Sequence, residues 1–281
     1  MDLAKAGVED FWVGSPVAPL FAPESVPFMA VALALIGFVF TSFFSLQENM
    51  LPTEKEFIEA AIKHKVLSFG SFTLKSGRQS PYFFNAGNFN TGQSLATVSK
   101  LYAKTILESG VEFDVIFGPA YKGIPLAASV SIALSQLQNS SASNIHDSSA
   151  TENKAYPFAF DRKEAKTHGE GGMIVGSSIE NKRVLIIDDV ITAGTAITNS
   201  FELIKKNGGI PVAVVVAIDR QEIASAETSN TSAIQQVYQK FGIPVYPIVK
   251  LDTIIEFLAS SDSEFNHFLP TIQEYRNKYA C

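Results

Sequence analysis

The 281 residues carry 22 Lys and Arg against 28 Asp and Glu, a formal charge of −6, and 46% of them are hydrophobic. That length and apolar share allow one decorated α/β domain or two small ones, and the acidic balance argues against a general nucleic-acid binder. A single cysteine, Cys281, and four scattered histidines exclude an intrachain disulfide framework and zinc-type ligand spacing, so the chain reads as a reducing-compartment enzyme.

No charged residue occurs between positions 26 and 46, and the apolar run 28–44 is long enough to cross a bilayer as a helix. The segment before it is mostly acidic, with Lys5 its only cation, which does not suit a signal peptide. A membrane helix at about 27–46 is therefore expected, set against a buried core helix; sparse flanking charges leave its orientation open. Ser15-Pro-Val-Ala-Pro, then Ile36-Gly-Phe-Val-Phe-Thr, resembles the first membrane span of a very small oligosaccharyltransferase subunit. Residues 1–49 are read as an extension, a fusion of two neighbouring coding regions (real or produced by gene prediction), ahead of an enzyme-like start at Met50.

From Met50 the pattern changes. Thr53-x-x-Glu56 before an apolar-periodic run predicts a capping box and a helix through about Leu67. Residues 70–87 then suggest two short strands about a Ser76-Gly77 bend, with Lys75 and Arg78 beside the aromatic pair Phe83 and Phe84. Cations beside aromatics would suit an anionic planar ligand; a surface hairpin with an apolar underside is the plainer reading. A helix at 94–109, a buried strand at 113–117 and the loop Gly118-Pro-Ala-Tyr-Lys-Gly-Ile-Pro follow, Pro125 opening a helix to about Leu137. Two glycines, Tyr121 and Lys122 directly after a strand can wrap an anion with backbone amides and a point charge.

Residues 138–154, rich in Ser and Asn, are expected to be a flexible insertion without chemistry. A short strand at 156–161 leads into Arg162-Lys-Glu-Ala-Lys-Thr-His-Gly-Glu-Gly-Gly, where three cations and a histidine precede dense glycine. A core cannot hold those charges unpaired, nor would a stable helix end in such glycine density. Residues 161–172 are thus expected to be a mobile basic loop able to close over a departing anion, or else a solvated charge run.

The stretch 184–196, Val-Leu-Ile-Ile-Asp-Asp-Val-Ile-Thr-Ala-Gly-Thr-Ala, organises the rest. Four apolar residues suit a strand buried on both faces. Asp188 and Asp189 end it, and a compact hydroxyl-bearing loop opens a helix, as in phosphate sites of open α/β sheets. A helix at 197–207, an apolar strand at 211–218 and Asp219-Arg220-Gln-Glu follow. An arginine just past a strand's carboxyl end lies on the ligand edge of such a sheet, unless it only pairs with Asp219. A helix through Phe241, a strand at 244–249 and helices at 252–259 and 269–280 close the chain.

The stretch 184–196 resembles the phosphoribosyl pyrophosphate (PRPP) signature of type I phosphoribosyltransferases. Residues 70–87, the 118–125 loop and Arg162 to His168 resemble orotate phosphoribosyltransferases, and the Ser/Asn insertion is similar to that of fungal members. The resemblance implies an α/β fold with a central, mainly parallel sheet flanked by helices and a small N-terminal hood, here preceded by the apolar helix. It implies a single-function enzyme of residues 50–281 that joins orotate to PRPP, giving orotidine 5′-monophosphate and diphosphate. PRPP would be held by Lys75, Tyr121, Lys122, Arg162, Lys163, Lys166, His168, Asp188, Asp189 and the loop Val190, Ile191, Thr192, Ala193, Gly194, Thr195 and Ala196. Orotate would meet Phe83, Phe84, Thr192 and Arg220. Catalysis would fall to Lys166, His168, Asp188 and Asp189, with Mg²⁺ bound through PRPP and no direct protein ligand. A homodimer is implied, with Arg162, Lys166 and His168 acting in the partner's site and Lys163 in its own. The enzyme domain is expected in the cytoplasm, with no nucleic-acid partner and membrane anchoring only if residues 1–49 are genuine. A purine-type phosphoribosyltransferase would share the 188–196 stretch but not Phe83, Phe84 and Arg220. A PRPP-sensing regulator would need no basic lid and would usually carry a DNA-binding domain.

Overall fold

A computed structural model describes residues 50–281 apart from 75–76, 143–153, 167–171, 193, 226–228 and 261–262. The predicted apolar helix at about 27–46 lies outside the described residues, and no helix among those described is long and apolar enough to cross a membrane. The described residues all fall in one unit, Met50–Cys281.

A six-stranded sheet carries the architecture. In chain order its strands are β3 (Val115–Gly118), β4 (Phe158–Lys166), β5 (Gly172–Gly176), β6 (Arg183–Val190), β7 (Ile210–Asp219) and β10 (Val245–Lys250), arranged β10-β7-β6-β3-β4-β5. Every neighbouring pair is parallel except β4 with β5, which is antiparallel. The apolar run of β6 has its reason here. Leu185 and Ile187 enter one core with Ala213, Val215 and Ala217, while Val184 and Ile186 enter the other with Val214 and Val216. Period-two alternation into two cores requires apolar residues at every position.

Helices cover both faces. The first, α1 (Pro52–Lys63), corrects the predicted start and end. Leu51 is the N-cap residue, Pro52 opens the helix, and the Glu54 carboxylate accepts the Leu51 N–H at 2.8 Å. Proline's fixed φ makes position 52 a ready first residue, so Thr53 lies inside the helix rather than capping it. The helix stops at Lys63, before Lys65 takes a positive φ of 54°. In α2 (Gly92–Ser109) the Thr91 and Ser94 side chains each accept the other's backbone N–H at 3.1 Å, and Gly110 ends the helix at φ 65°.

Two departures from expectation bear on the site. Helix α3 (Gly123–Ala142) runs into the Ser/Asn-rich segment, and 143–153 lie outside the described residues. Positions 161–166, expected as loop, continue β4, which pairs with β5 at Asp161↔Ile174 and, beyond an irregularity in register, at Lys166↔Gly172. Antiparallel pairing gives the backbone of a charged segment its hydrogen bonds while side chains stay on a pleated surface. Ser229–Ser232 forms β9 against β8 (Ile223–Ser225).

The hood is a hairpin of β1 (Leu67–Thr73) and β2 (Gln79–Phe84). Helices α4 (Thr195–Lys206), α5 (Ala233–Phe241), α6 (Leu251–Ala259) and α7 (Leu269–Tyr279) complete the chain. The last of these packs on the hood, with the Tyr275 ring edge-on to Tyr82 at 6.0 Å between centroids.

Candidate active site

Parallel strands end on the same edge, so β3, β6 and β7 deliver their following loops to one place. Asp188 and Asp189, only 9% and 7% exposed, end β6. Asp188 accepts the Asp189 N–H at 2.9 Å on its own carboxylate, and its backbone carbonyl accepts the Tyr102 hydroxyl at 2.8 Å. Burial, then the neighbouring Asp189 charge, pushes the Asp188 carboxyl up to about 7. Asp189 instead meets Lys122, whose Nζ lies 2.7 Å from its Oδ2.

Lys122 comes from the loop after β3, and that loop is folded tightly. A Cβ on Gly118 would stand 2.1 Å from the Gly123 carbonyl oxygen, and one on Gly123 would stand 2.9 Å from the Ile187 carbonyl. The Gly123 N–H closes the turn on Pro119 O at 3.0 Å. Gly118→Ala is therefore expected to lower stability by at least ~2 kcal/mol, since backbone cannot yield as a side-chain tip can. Thermal melting of the variant checks it; an unchanged Tm would refute the tight-turn account.

The basic hairpin is tied to the same loop. Asp161 accepts the Ala120 N–H, and Lys163 Nζ lies 5.6 Å from the centre of the Tyr121 ring, which is 71% exposed. Arg162 is half-buried in β4 and Lys163 exposed. Lys166 ends β4, while Lys75 and His168 lie outside the described residues.

Below Asp188 the chain turns into α4. A cavity of about 240 Å³ is lined by Asp188, Val190, Ile191, Thr192, Gly194, Thr195, Ala196 and Ile197; Ala193 lies outside the described residues. Gly194 precedes α4 with φ 69°, a left-handed conformation natural to glycine. The first N–H groups of a helix have no intrahelical partner, so this end offers donors and a positive dipole to an anion.

Arg220, past the end of β7, does not pair with Asp219. Its Nη2 and Nε donate to Glu222 Oε1 at 2.6 and 3.0 Å. Asp219 accepts the Gln221 N–H instead, at 2.9 Å. Phe83 and Phe84, expected together on orotate, point to opposite faces of β2 because adjacent strand residues alternate. Phe83 is 43% exposed and stacks on Phe72, while Phe84 packs into the core against Phe57.

Sequence reasoning missed Glu222, Tyr82, Tyr102 and Asp161. Only Glu222 left a signal, an acid two residues beyond Arg220; the rest depend on packing.

The family described as phosphoribosyl transferase domain matches residues 86–246. The chain is 46% identical to the orotate phosphoribosyltransferase of Cronobacter sakazakii over 230 residues, 82% of this chain and 99% of that protein. It is 50% identical to the enzyme of the same name from Vibrio parahaemolyticus, over 80% and 97% of the two chains. This chain belongs to the orotate phosphoribosyltransferases. Among crystal structures, the Francisella tularensis orotate phosphoribosyltransferase superposes with a TM-score of 0.66 at 44% identity, covering 80% of this chain and 99% of that one. These relatives are bacterial, and the fungal likeness drawn from the insertion gains no support from them. Near-complete coverage of the relatives leaves a stretch of this chain about as long as residues 1–49 without counterpart in them.

Proposed function

We infer that this chain transfers the phosphoribosyl group of PRPP to orotate, forming orotidine 5′-monophosphate and diphosphate in UMP biosynthesis. One observation carries the reading: neighbouring strand ends offer an anion cradle with two buried acids on β6 and a guanidinium beyond β7. A phosphorylated sugar fits the first and a carboxylated base the second. In the reaction the ribose C1–O bond to diphosphate breaks, a C1–N1 bond to orotate forms, and N1 gives up its proton.

The roles follow from chemistry. Asp188 and Asp189, as carboxylates, accept hydrogen bonds from the ribose hydroxyls and face the positive charge that develops on the sugar. Residues 191–196 cradle the 5′-phosphate with backbone amides and hydroxyls. Lys75, Tyr121, Lys122 and Lys163 address the diphosphate, and Lys166 and His168 meet its growing charge as it departs. Arg162, Lys166 and His168 come from the second subunit of a homodimer. The carboxylate of orotate is gripped by Arg220, whose planar fork matches it.

Among the described residues no group of three or more His, Cys, Asp or Glu could hold a metal. The donors on offer are two carboxylates, one already tied to Lys122, a set that suits a hydrated cation carried in on polyphosphate rather than a protein cage. Mg²⁺ so bound would neutralise the departing diphosphate, and Asp188 and Asp189 are the residues that would help to hold it.

The direct test follows orotate consumption with and without PRPP. Loss of orotate only when PRPP is present, with stoichiometric diphosphate, is the expected result; no PRPP-dependent loss refutes the reading.

A further inference from the structure

Beneath the hood, two arginines converge on one carboxylate. Glu222 Oε1 accepts from Arg220 Nη2 at 2.6 Å, from Arg220 Nε at 3.0 Å and from the Tyr82 hydroxyl at 2.9 Å. Arg78 Nη1 stands 3.8 Å from Glu222 Oε2, and both Arg78 terminal nitrogens lie 3.3 Å from the Ile223 carbonyl. The three charged side chains are 21%, 19% and 12% exposed for Arg78, Arg220 and Glu222. Burial holds the Tyr82 phenol well above its ordinary range, so it contributes no charge. Among the described residues, two guanidiniums against one carboxylate leave this cluster one positive charge in excess, a costly state in a largely buried place unless an anion completes it.

The bonding also selects an edge. Glu222 occupies the Nε side of the Arg220 guanidinium, leaving the Nη1 side for a second carboxylate. We propose that Glu222 is a positioning residue for the substrate base, fixing Arg220 so that this remaining edge receives the base's carboxylate. The inference rests on the assignment of that carboxylate to Arg220. Glu222 is well placed for the task because it joins three parts of the fold. Tyr82 and Arg78 belong to the hood, Arg220 to the end of β7, and the Glu222 backbone bridges to Ala280 in the C-terminal tail. A carboxylate that only stapled these parts together would, when altered, disturb both substrates alike.

The experiment is steady-state kinetics on the full chain for Glu222→Gln, with Arg220→Ala beside it and thermal melting to confirm folding. Glu222→Gln keeps the shape but weakens charge-assisted bonds, so the KM for orotate should rise about tenfold while the KM for PRPP and kcat stay within about twofold. Equal changes in both KM values, a fall in kcat alone, or no change overturns the inference. An unchanged orotate KM in Arg220→Ala overturns the Arg220 assignment and the inference with it. A raised KM in Arg220→Ala beside an unchanged one in Glu222→Gln overturns the inference alone. Should Glu222→Gln fail to fold, Tyr82→Phe carries the test, because it removes one bond to the same oxygen and keeps the ring. An increase of about threefold in the orotate KM alone is then expected, and no increase overturns the proposal.

Discussion

Asp188→Asn should lose at least about a hundredfold in kcat/KM and yet be the more stable protein at pH 8. The two effects share one cause. Burial and the adjacent Asp189 raise the Asp188 carboxyl to about 7, so the folded chain binds that proton more tightly than the unfolded chain does. The resulting stabilisation is complete below the ordinary value of 3.8 and is lost as pH rises through about 7. At pH 8 the parent therefore holds an ionised, buried Asp188 directly beside Asp189. Asparagine removes one charge and keeps an oxygen to accept the Asp189 N–H. Each unit of raised pKa is worth about 1.4 kcal/mol, or ~2–4 °C in Tm for a domain of this size. Melting curves at pH 4 and pH 8 should thus show little difference between variant and parent at the first and a gain for the variant at the second. An equal difference at both pH values would refute the account. Kinetics on the parent should show the matching acid limb, kcat/KM rising as Asp188 ionises to accept a ribose hydroxyl.

The second large effect concerns the basic hairpin. Lys166→Ala is expected to lower kcat by about a thousandfold with orotate KM little changed, since its charge is needed where diphosphate departs. Whether it serves its own subunit or the partner's is read by mixing. Lys166→Ala and Asp189→Ala, each nearly inactive alone, are denatured together and refolded so that subunits exchange. If the hairpin reaches across a homodimer, half of the dimers regain one intact site, about a quarter of the parent's activity under random pairing. A hairpin serving its own subunit gives no recovery. Full turnover by Lys166→Ala would remove the lid mechanism altogether.

Both experiments draw on features that differ in how far the chain announces them. The run into Asp188 and Asp189 is legible because a strand buried on both faces must be apolar at every position, so two acids at its end stand out. The α4 entry is legible for a similar reason: a small loop holding Gly194 before a helical pattern suits close approach to an anion. The mismatch at 161–166 arose because charge and glycine density describe side chains and flexibility, whereas antiparallel pairing with β5 is a contact between segments. At the other end of the site, Phe83 and Phe84 are adjacent in sequence, and the pleat of β2 turns their rings to opposite faces. Arg220 lies just past the end of β7, as the apolar run before it predicts, yet its partner is Glu222 rather than the adjacent Asp219.

What the sequence by itself determined is therefore the local chemistry: most of the strands and helices, the paired acids, the small turn that opens α4 and the arginine beyond β7. These depend on periodicity, small residues and charge within a few positions, all of which survive in one dimension. Only the tertiary structure decided how those parts meet. It placed Lys122 against Asp189, tied Asp161 to the loop after β3, and set Tyr82, Arg78 and Arg220 around Glu222. Apart from Arg220 with Glu222, such pairings join residues tens to more than a hundred positions apart, and they exist because parallel strands end on one edge and the hood folds over it.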